Sequence, residues 1–319
     1  MKLIIQIPCY NEADTLAEVV GALPRELSGV DQIEYLVIDD GSTDGTSEMA
    51  RELGVHHVLN LGSNRGLATA FLLGVRRCLE LGADIIVNTD GDNQYRGGSI
   101  KDLIVPVLEN KADIVVGARP IEMIEHFSWW KKKLQRWGSR VVRNFSGTTL
   151  PDTTSGFRAY SAEAALKLHV FNRYTYTLET IIQAGHMNMR ITHVPIEVNP
   201  KTRDSRLIKS VPRYIWLSGS TILRSYLTYK PLRTFFYLAL PSGLIGLGIC
   251  LWWLIAWGAG HIQALLLGVM LILIAFLMLV LGVLADLMSA NRKLIHELLY
   301  NTRSQMYGKK PPENNINKM

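Results

Sequence analysis

Along the first half of the chain, short apolar runs alternate with segments whose apolar residues recur every three or four positions. Leu3-Ile4-Ile5-Gln6-Ile7-Pro8 has the length and density of a buried strand, and Leu16, Val19, Val20 and Leu23 after it fall on one face of a helix. The unit recurs. Glu34-Tyr35-Leu36-Val37-Ile38 precedes a helix through Met49 and Leu53, and Val55 to Leu61 precedes a long helix ending at Leu81. Ala83 to Val87 and Ala112 to Val116 are further strands, a helix runs from Leu178-Glu179 towards Ala184, and Arg190 to Val198 reads as the last strand. Strands alternating with helices predict an α/β domain built on a mainly parallel, doubly wound, Rossmann-like sheet. In such sheets the loops at the carboxyl ends of the strands line one cleft.

The last third of the chain changes pattern. Phe235 to Trp257 is 23 residues without a charge, and Ala264 to Ala285 is 22. At about 1.5 Å per residue each exceeds the roughly 30 Å hydrocarbon core of a bilayer. They read as a transmembrane hairpin, the alternative being two buried core helices. Amphipathic segments carrying Trp216, Leu217, Ile222, Leu223, Tyr226 and Leu227 precede them. The expected organisation is a catalytic domain over 1–200, a cationic loop and juxtamembrane segment over 201–232, two transmembrane helices over 233–286 and a cytosolic tail over 287–319. Lys230 and Arg233 precede the hairpin and Arg292 and Lys293 follow it, while the connector Gly258 to Gln263 has no Lys or Arg. By the positive-inside rule both ends are cytosolic. Leu3 to Ile7 is too short for a secretory h-region, so the first domain is expected in the cytosol. The tail from Gly308, rich in Lys, Pro and Asn, is expected to be disordered.

Composition sharpens this picture in two ways. The hydrophobic content of 48% and mean hydropathy of +0.13 are high for a soluble chain because of the two C-terminal runs. The net charge of +6 suits nucleic acid, an anionic membrane or phosphorylated substrates. Lys and Arg crowd the region before the apolar runs, which selects membrane and phosphate over nucleic acid. Cys9, Cys78 and Cys250 lie far apart with no C-x-x-C pair and read as buried small hydrophobes in a reducing compartment. The lone histidines His56, His57 and His186 lack metal-ligand spacing and read as core or surface fillers.

The candidate chemistry lies in the loops. Asp39 and Asp40, Asn64 to Gly66, Asp90 to Gln94 and Arg119 each follow a predicted strand and are expected around one cleft. Asp90, Asp92 and the Gln94 amide oxygen share a glycine-containing turn, a hard-oxygen set suited to Mg²⁺ or Mn²⁺ shared with substrate phosphates. A solvated turn capping the next helix is the plainer alternative. Gly41 and Gly45 permit the turn after the second strand, and Asp44 or Thr43 is placed to cap the helix that follows. Neither G-x-G-x-x-G after the first strand nor G-x-x-x-x-G-K-[ST] is present. Between Phe127 and Phe145, Trp129, Trp130 and Trp137 interleave with Lys131, Lys132, Lys133, Arg136, Arg140 and Arg143. That composition suits a membrane interface or, more blandly, a solvated amphipathic helix. In Lys201 to Ser210, Arg203 and Arg206 can offer forked donors to phosphate oxygens.

Pro8-Cys9-Tyr10-Asn11-Glu12, Val37 to Thr46, Asn64-Arg65-Gly66, Asp90-Gly91-Asp92, Gly117-Ala118-Arg119 and Ser155-Gly156-Phe157-Arg158 together resemble the ordered signature of family 2 glycosyltransferases with a GT-A fold. The resemblance covers the first half of the chain. Gly91 stands where many relatives have Ala, Asn93 where many have Leu and Arg65 where Lys is frequent. It implies a nucleotide-sugar donor held by Pro8, Tyr10, Asn11, Glu12, Asp39, Asp40, Asn64, Gly66, Asp90, Gly91, Asp92 and Arg119. Asp39 and Asp40 would lie near base and ribose, with Asp90, Asp92 and Gln94 on the metal. It also places Ser139-Arg140 in a helix facing lipid phosphate. Lys201 to Ser210 resembles the acceptor loop of polyprenyl-phosphate glycosyltransferases, so Arg119, Ser139, Arg140, Arg203, Ser205 and Arg206 are the expected acceptor-phosphate set. Asp152 is either a catalytic base, for a hydroxyl acceptor, or a partner that fixes Arg158. The expected activity is inverting transfer of one sugar from a UDP- or GDP-sugar to polyprenyl phosphate. The expected setting is a bacterial or archaeal plasma membrane, with oligomerisation left open. The rivals are transfer to a glycan or lipid hydroxyl, and a silent membrane scaffold of the same fold.

Overall fold

In the computed structural model, which describes residues 1–120, 150–170, 176–199, 219–220, 223–224, 227–255 and 261–309, the strand-and-helix units are present with shifts at their ends. They are β1 (Lys2–Cys9), α1 (Ala13–Gly21), β2 (Gln32–Asp39), α2 (Thr46–Glu52), β3 (His57–Asn60), α3 (Leu67–Glu80), β4 (Ile85–Asn88) and α4 (Ile100–Leu108). β5 (Ile114–Ala118), β6 (Arg158–Ser161), α5 (Ala162–Lys167), α6 (Thr177–His186) and β7 (Ile191–Pro195) complete the catalytic part. β6 and α5 were not expected from the hydrophobic pattern. The helix cap at α2 is Gly45, left-handed at φ 85°, while Asp44 accepts the Thr46 N–H from one position further out at 3.1 Å.

The strands make one sheet in the order β3-β2-β1-β4-β6-β5-β7. β1 pairs in parallel with β2 and β4, β2 with β3, and β5 with β7, whereas β6 is antiparallel to both β4 and β5. The carboxyl ends of β1, β2, β4 and β5 therefore share an edge with the amino end of β6. Chain order reverses between β1 and β4, which is where doubly wound sheets open a ligand crevice. β1 and β4 pair only as far as Gln6 and Asn88, while β1 continues beside β2 to Cys9. The strands part there, beneath the loops of interest.

Leu3, Ile4, Ile5 and Ile7 of β1 are all fully buried, so both faces of the central strand are covered, as a parallel sheet requires. Each contributes about 1.5–3 kcal/mol of hydrophobic stabilisation. α3 crosses β1 and β2 closely at Gly74, where a Cβ would meet Gln6 Oε1 at 2.4 Å and Ile38 Cδ1 at 2.7 Å.

The chain divides into two compact units, Met1–Ile222 with Leu299–Met319, and Leu223–Leu298. In the second, α7 (Pro231–Ile255) and α8 (Ile262–Met306) are long and apolar enough to cross a membrane. They run antiparallel, with Gly243 facing Ala275 and Gly282 facing Phe235. A Cβ on Gly246 would lie 2.7 Å from the Gly268 carbonyl oxygen, so the two backbones meet at small residues, as membrane helices commonly do. Large apolar side chains such as Leu244, Leu254, Leu266 and Phe276 point outward, exposed. The helical residues do not stop at Ala285; α8 continues through the expected tail to Met306. Its end and residues 307–309 pack within the first unit, Arg303 Nη1 donating to the Leu166 and Leu168 carbonyls at 3.1 Å each. Lys309, expected in the disordered tail, pairs with Asp84 at 2.6 Å; residues beyond it lie outside the described ones. Most of the expected juxtamembrane segment 201–232 also lies outside them.

Candidate active site

The loops at the carboxyl edge are tied to one another by short polar bonds. After β1, Asn11 takes a left-handed conformation (φ 55°), donates its N–H to Ser42 Oγ at 2.9 Å and accepts the Thr43 N–H on Oδ1 at 2.8 Å. Glu12 N–H donates to Thr46 Oγ1 at 3.0 Å. Asp39 and Asp40 are both buried. Asp39 accepts from Ser42 N at 2.8 Å, from Asn60 Nδ2 at 3.2 Å and from Ser47 Oγ. Asp40 takes the N–H groups of Arg65 and Gly66 at 2.7 and 2.9 Å. Burial raises the Asp40 carboxyl above its usual value against the pull of those two amides. Gly41 (φ 76°) lies so close to the next loop that a Cβ would sit 2.5 Å from the Ser63 carbonyl carbon. Asp40 thus fastens the β2 loop to the segment holding Asn64 and Gly66, while Asp39 ties it to Asn60 at the end of β3 and to α2. Pro8 is buried within β1, Tyr10 is 40% exposed and Asn64 is exposed.

The acid turn follows β4. Thr15, on α1, donates through Oγ1 to the Gly91 carbonyl at 2.7 Å and fixes the turn from one side. The Asp90 carboxyl is pushed well above the usual carboxylate range, first by lost hydration and then by the charge of Asp92. Two carboxylates on one turn, each offering oxygen ligands, fit a hard divalent cation. The pocket wall is shaped to leave room: a Cβ on Gly156 would sit 3.1 and 3.3 Å from the Asp90 carboxylate oxygens. No three His, Cys, Asp or Glu side chains cluster as a metal site among the described residues. An ion here would therefore take further oxygens from a phosphate or water, as Mg²⁺ commonly does. Gln94 contributes main chain, its N–H donating to Asp92 Oδ1 at 3.2 Å.

Asp152 is fully buried and grips Arg119 in a fork, accepting from Nε at 2.7 Å and Nη2 at 3.2 Å. Thr154 donates to the same carboxylate through N and Oγ1, at 3.1 and 2.9 Å. Burial alone would raise Asp152; the Arg119 charge and these hydrogen bonds outweigh it and hold the carboxyl below its usual value. The expected partner Arg158 is a correction: its guanidinium instead donates to the Ser155 and Thr153 carbonyls and to Thr180 Oγ1. Arg158 starts β6 and is fully buried, its guanidinium taken up by those three oxygens.

Sequence reasoning missed the residues that hold Gly156. Asn88 Nδ2 donates to the Gly156 carbonyl and to Tyr176 Oη, each at 2.9 Å, and Gly156 N–H donates to Tyr95 Oη at 3.2 Å. Tyr95 stacks on Phe157 with centroids 5.0 Å apart, and Tyr176 on Phe71 at 3.8 Å. The available signal was an amide, Asn88, ending an otherwise apolar strand. Ser139, Arg140, Arg203, Ser205 and Arg206 lie outside the described residues.

A model of the Glycosyl transferase family 2 domain matches residues 4–168, more than half of the chain. The chain belongs to glycosyltransferase family 2. The undecaprenyl-phosphate mannosyltransferase of Micrococcus luteus is 31% identical over 206 residues, covering 61% of this glycosyltransferase and 83% of that protein. The UDP-N-acetylglucosamine–dolichyl-phosphate N-acetylglucosaminyltransferase of Methanococcus voltae is 30% identical over 219 residues, covering 61% and 85%. Among solved structures, glucosyl-3-phosphoglycerate synthase from Mycobacterium tuberculosis, in complex with Mn²⁺, UDP and glucosyl-3-phosphoglycerate, matches with a TM-score of 0.54 at 20% identity. That match covers 72% of this glycosyltransferase and 79% of the other chain. The shared architecture is the GT-A fold, and the glycosyltransferase carries its two apolar helices after it.

Proposed function

We propose that this glycosyltransferase moves one sugar from a nucleoside-diphosphate sugar to the phosphate of a polyprenyl lipid, with inversion at the anomeric carbon. The observation that carries the reading is the engagement of Asp152 by Arg119 and Thr154. A hydroxyl acceptor must lose a proton as it attacks, and a positioned base is worth about 10²–10⁴ in rate. A buried carboxylate gripped by a guanidinium and held below its usual value is a poor base. A phosphate monoester, with a second pKa of about 6, is largely a dianion at neutral pH and needs none. Its oxygen bonds to the sugar carbon as the bond from that carbon to the nucleoside diphosphate breaks, and no proton changes hands. The two relatives support the acceptor class, since their names specify undecaprenyl and dolichyl phosphate. Those names differ in the sugar, so the donor is proposed here only as a nucleotide sugar.

In this reading Asp90 and Asp92 hold a Mg²⁺ or Mn²⁺ ion, with the Gln94 amide oxygen as the third candidate ligand. The ion would offset charge gathering on the departing diphosphate. Pro8 to Glu12, the Asp39-Asp40 loop and Asn64 to Gly66 frame the donor. Arg119, held taut by Asp152, offers charge to phosphate. Ser139, Arg140, Arg203, Ser205 and Arg206 are assigned to the acceptor phosphate on sequence grounds alone. The catalytic unit lies in the cytosol, with both ends of the helical hairpin on that side.

The test is a full-length preparation in lipid nanodiscs, offered UDP- and GDP-sugars with a short polyprenyl phosphate or the matching polyprenyl alcohol, products being identified by mass. One hexosyl residue should appear on the phosphate and none on the alcohol. Asp92→Asn should abolish transfer. Asp152→Asn should lose activity through a loosened Arg119 yet keep a rate that rises through the acceptor's second ionisation. Transfer to the alcohol, or an Asp152→Asn protein without residual activity at any pH, would overturn the phosphate reading.

A further inference from the structure

The four residues after β7 run along the acid turn before the chain enters the cationic segment. Ile196 donates its N–H to the Ala118 carbonyl at 3.0 Å, beside Arg119, and Val198 forms an antiparallel bridge with Tyr95. Asn199 then makes four bonds to one loop. Its N–H donates to the Gln94 carbonyl at 2.9 Å; its Nδ2 donates to Asn93 O at 2.9 Å and to Asn93 Oδ1 at 3.3 Å; its Oδ1 accepts from Arg96 Nε at 3.2 Å. The loop it grips needs support. Asn93 is left-handed at φ 56°, a conformation that non-glycine residues adopt at some cost unless surrounding contacts impose it. Immediately before Asn93 is Asp92, whose Oδ1 accepts the Gln94 N–H.

We propose that Asn199 is a positioning residue for the divalent-cation site, holding Asn93 to Arg96 in the conformation that aims the Asp92 carboxylate. The role rests on the metal-dependent reading above. Asn199 itself is bonded to neither Asp90 nor Asp92 and acts through the turn between them and β7. An asparagine amide suits the task because it donates twice and accepts at once. Aspartate at the same place keeps the acceptor for Arg96 and loses both donors to Asn93; alanine keeps neither. Groups that orient metal ligands from behind typically cost about 10- to 100-fold in metal affinity when removed.

The experiment measures Mn²⁺ binding to the full-length protein in detergent by electron paramagnetic resonance of free Mn²⁺, with UDP and with GDP, alongside thermal melting without metal. Asn199→Ala and Asn199→Asp should each weaken Mn²⁺ binding about 10-fold or more. Glu197→Ala removes an exposed ion pair to Arg96 from the same stretch, and such pairs are worth little, so it should leave binding within about two-fold. The Asn199→Asp melting temperature should stay near that of Glu197→Ala. Should Asn199→Ala fail to fold, Asn199→Asp decides. Unchanged Mn²⁺ affinity in Asn199→Asp overturns the role of Asn199 and leaves the acceptor assignment standing, because no acceptor is present. A loss that merely follows the drop in melting temperature across all three variants also overturns it. A wild-type protein that binds no Mn²⁺ with either nucleotide overturns the metal-dependent reading and this role together.

Discussion

At position 91 a missing side chain is a packing requirement. A Cβ on Gly91 would lie 2.9 Å from Cys9 Sγ and 3.2 Å from Glu12 Cγ, so the acid turn is fitted against the end of β1 through the thiol of a buried cysteine. Gly91→Ala should crowd that contact, at about 1–3 kcal/mol, the usual cost of overpacking. The turn is the softer partner and would move, lowering transfer activity together with thermal stability. Cys9→Ala removes the obstructing sulfur, so the double variant Cys9→Ala/Gly91→Ala should recover most of the loss. A thermodynamic cycle on melting and on activity measures the coupling, expected at about 0.5–3 kcal/mol for side chains in contact. Full activity in Gly91→Ala alone would show the fit to be unimportant. At this scale the placing of Asp90 and Asp92 on a turn directly after an apolar strand was legible in the sequence; Asp39 and Asp40, placed alike after β2, are taken up by hydrogen bonds to the neighbouring loops. The partner of Asp152 was not legible. Arg158 is the guanidinium near it in sequence, whereas Arg119 lies 33 positions away and reaches the carboxylate only because β5 pairs with β6.

Among elements, the parallel strands were readable from continuous apolar runs, whereas β6 was hidden by its composition. Arg158-Ala159-Tyr160-Ser161 has neither an apolar run nor clean alternation, yet it lies between β4 and β5 and carries the Ser155-Gly156 turn to the same edge as Asp90. Asn88, Tyr95 and Tyr176 could be recognised only once that insertion was known, since each meets Gly156 through it. The helical hairpin shows the opposite case. Hydropathy alone identified α7 and α8, but not the place where they touch. Gly246→Leu should force the backbones apart, because the nearest obstacle, the Gly268 carbonyl, is main chain and cannot rotate away. A disulfide formed between Gly243→Cys and Ala275→Cys reports the contact: a Cβ on Gly243 would lie 3.4 Å from that of Ala275, close to the separation a disulfide needs. Cross-linking should be efficient in the otherwise native hairpin and lost when Gly246→Leu is added. Unchanged cross-linking would place the helix contact elsewhere.

On the scale of the whole molecule, the two apolar helices were legible and the return of the chain to the catalytic unit was not. That return is made of polar contacts between segments far apart in sequence: Arg303 with the Leu166 and Leu168 carbonyls, Lys309 with Asp84 and the Gly82 carbonyl, and the Tyr300 ring with Lys167 Nζ at 5.1 Å. No periodicity announces them. Their consequence is topological. Residues 299–309 pack in the same compact unit as the glycosyltransferase sheet, so a chain that leaves this unit and comes back must cross a bilayer an even number of times. Two helices of sufficient length and apolarity satisfy that condition, and it is independent of the charge argument. The proposed side follows from the positive-inside rule, with Lys230 and Arg233 before the pair, Arg292 and Lys293 after it, and no Lys or Arg in the connector Gly258 to Gln263. A reporter fused after Met319 should therefore be cytosolic and one inserted near Gly260 external. Arg303→Ala with Lys309→Ala should leave those locations unchanged, because the apolar helices and flanking charges set them, while lowering the melting temperature of the full-length protein. The reverse pattern of reporters would contradict the charge assignment. Reporters on the same side at both positions would mean that the two helices do not span the bilayer as a pair, and the hairpin would have to be redrawn as a structure lying along the membrane.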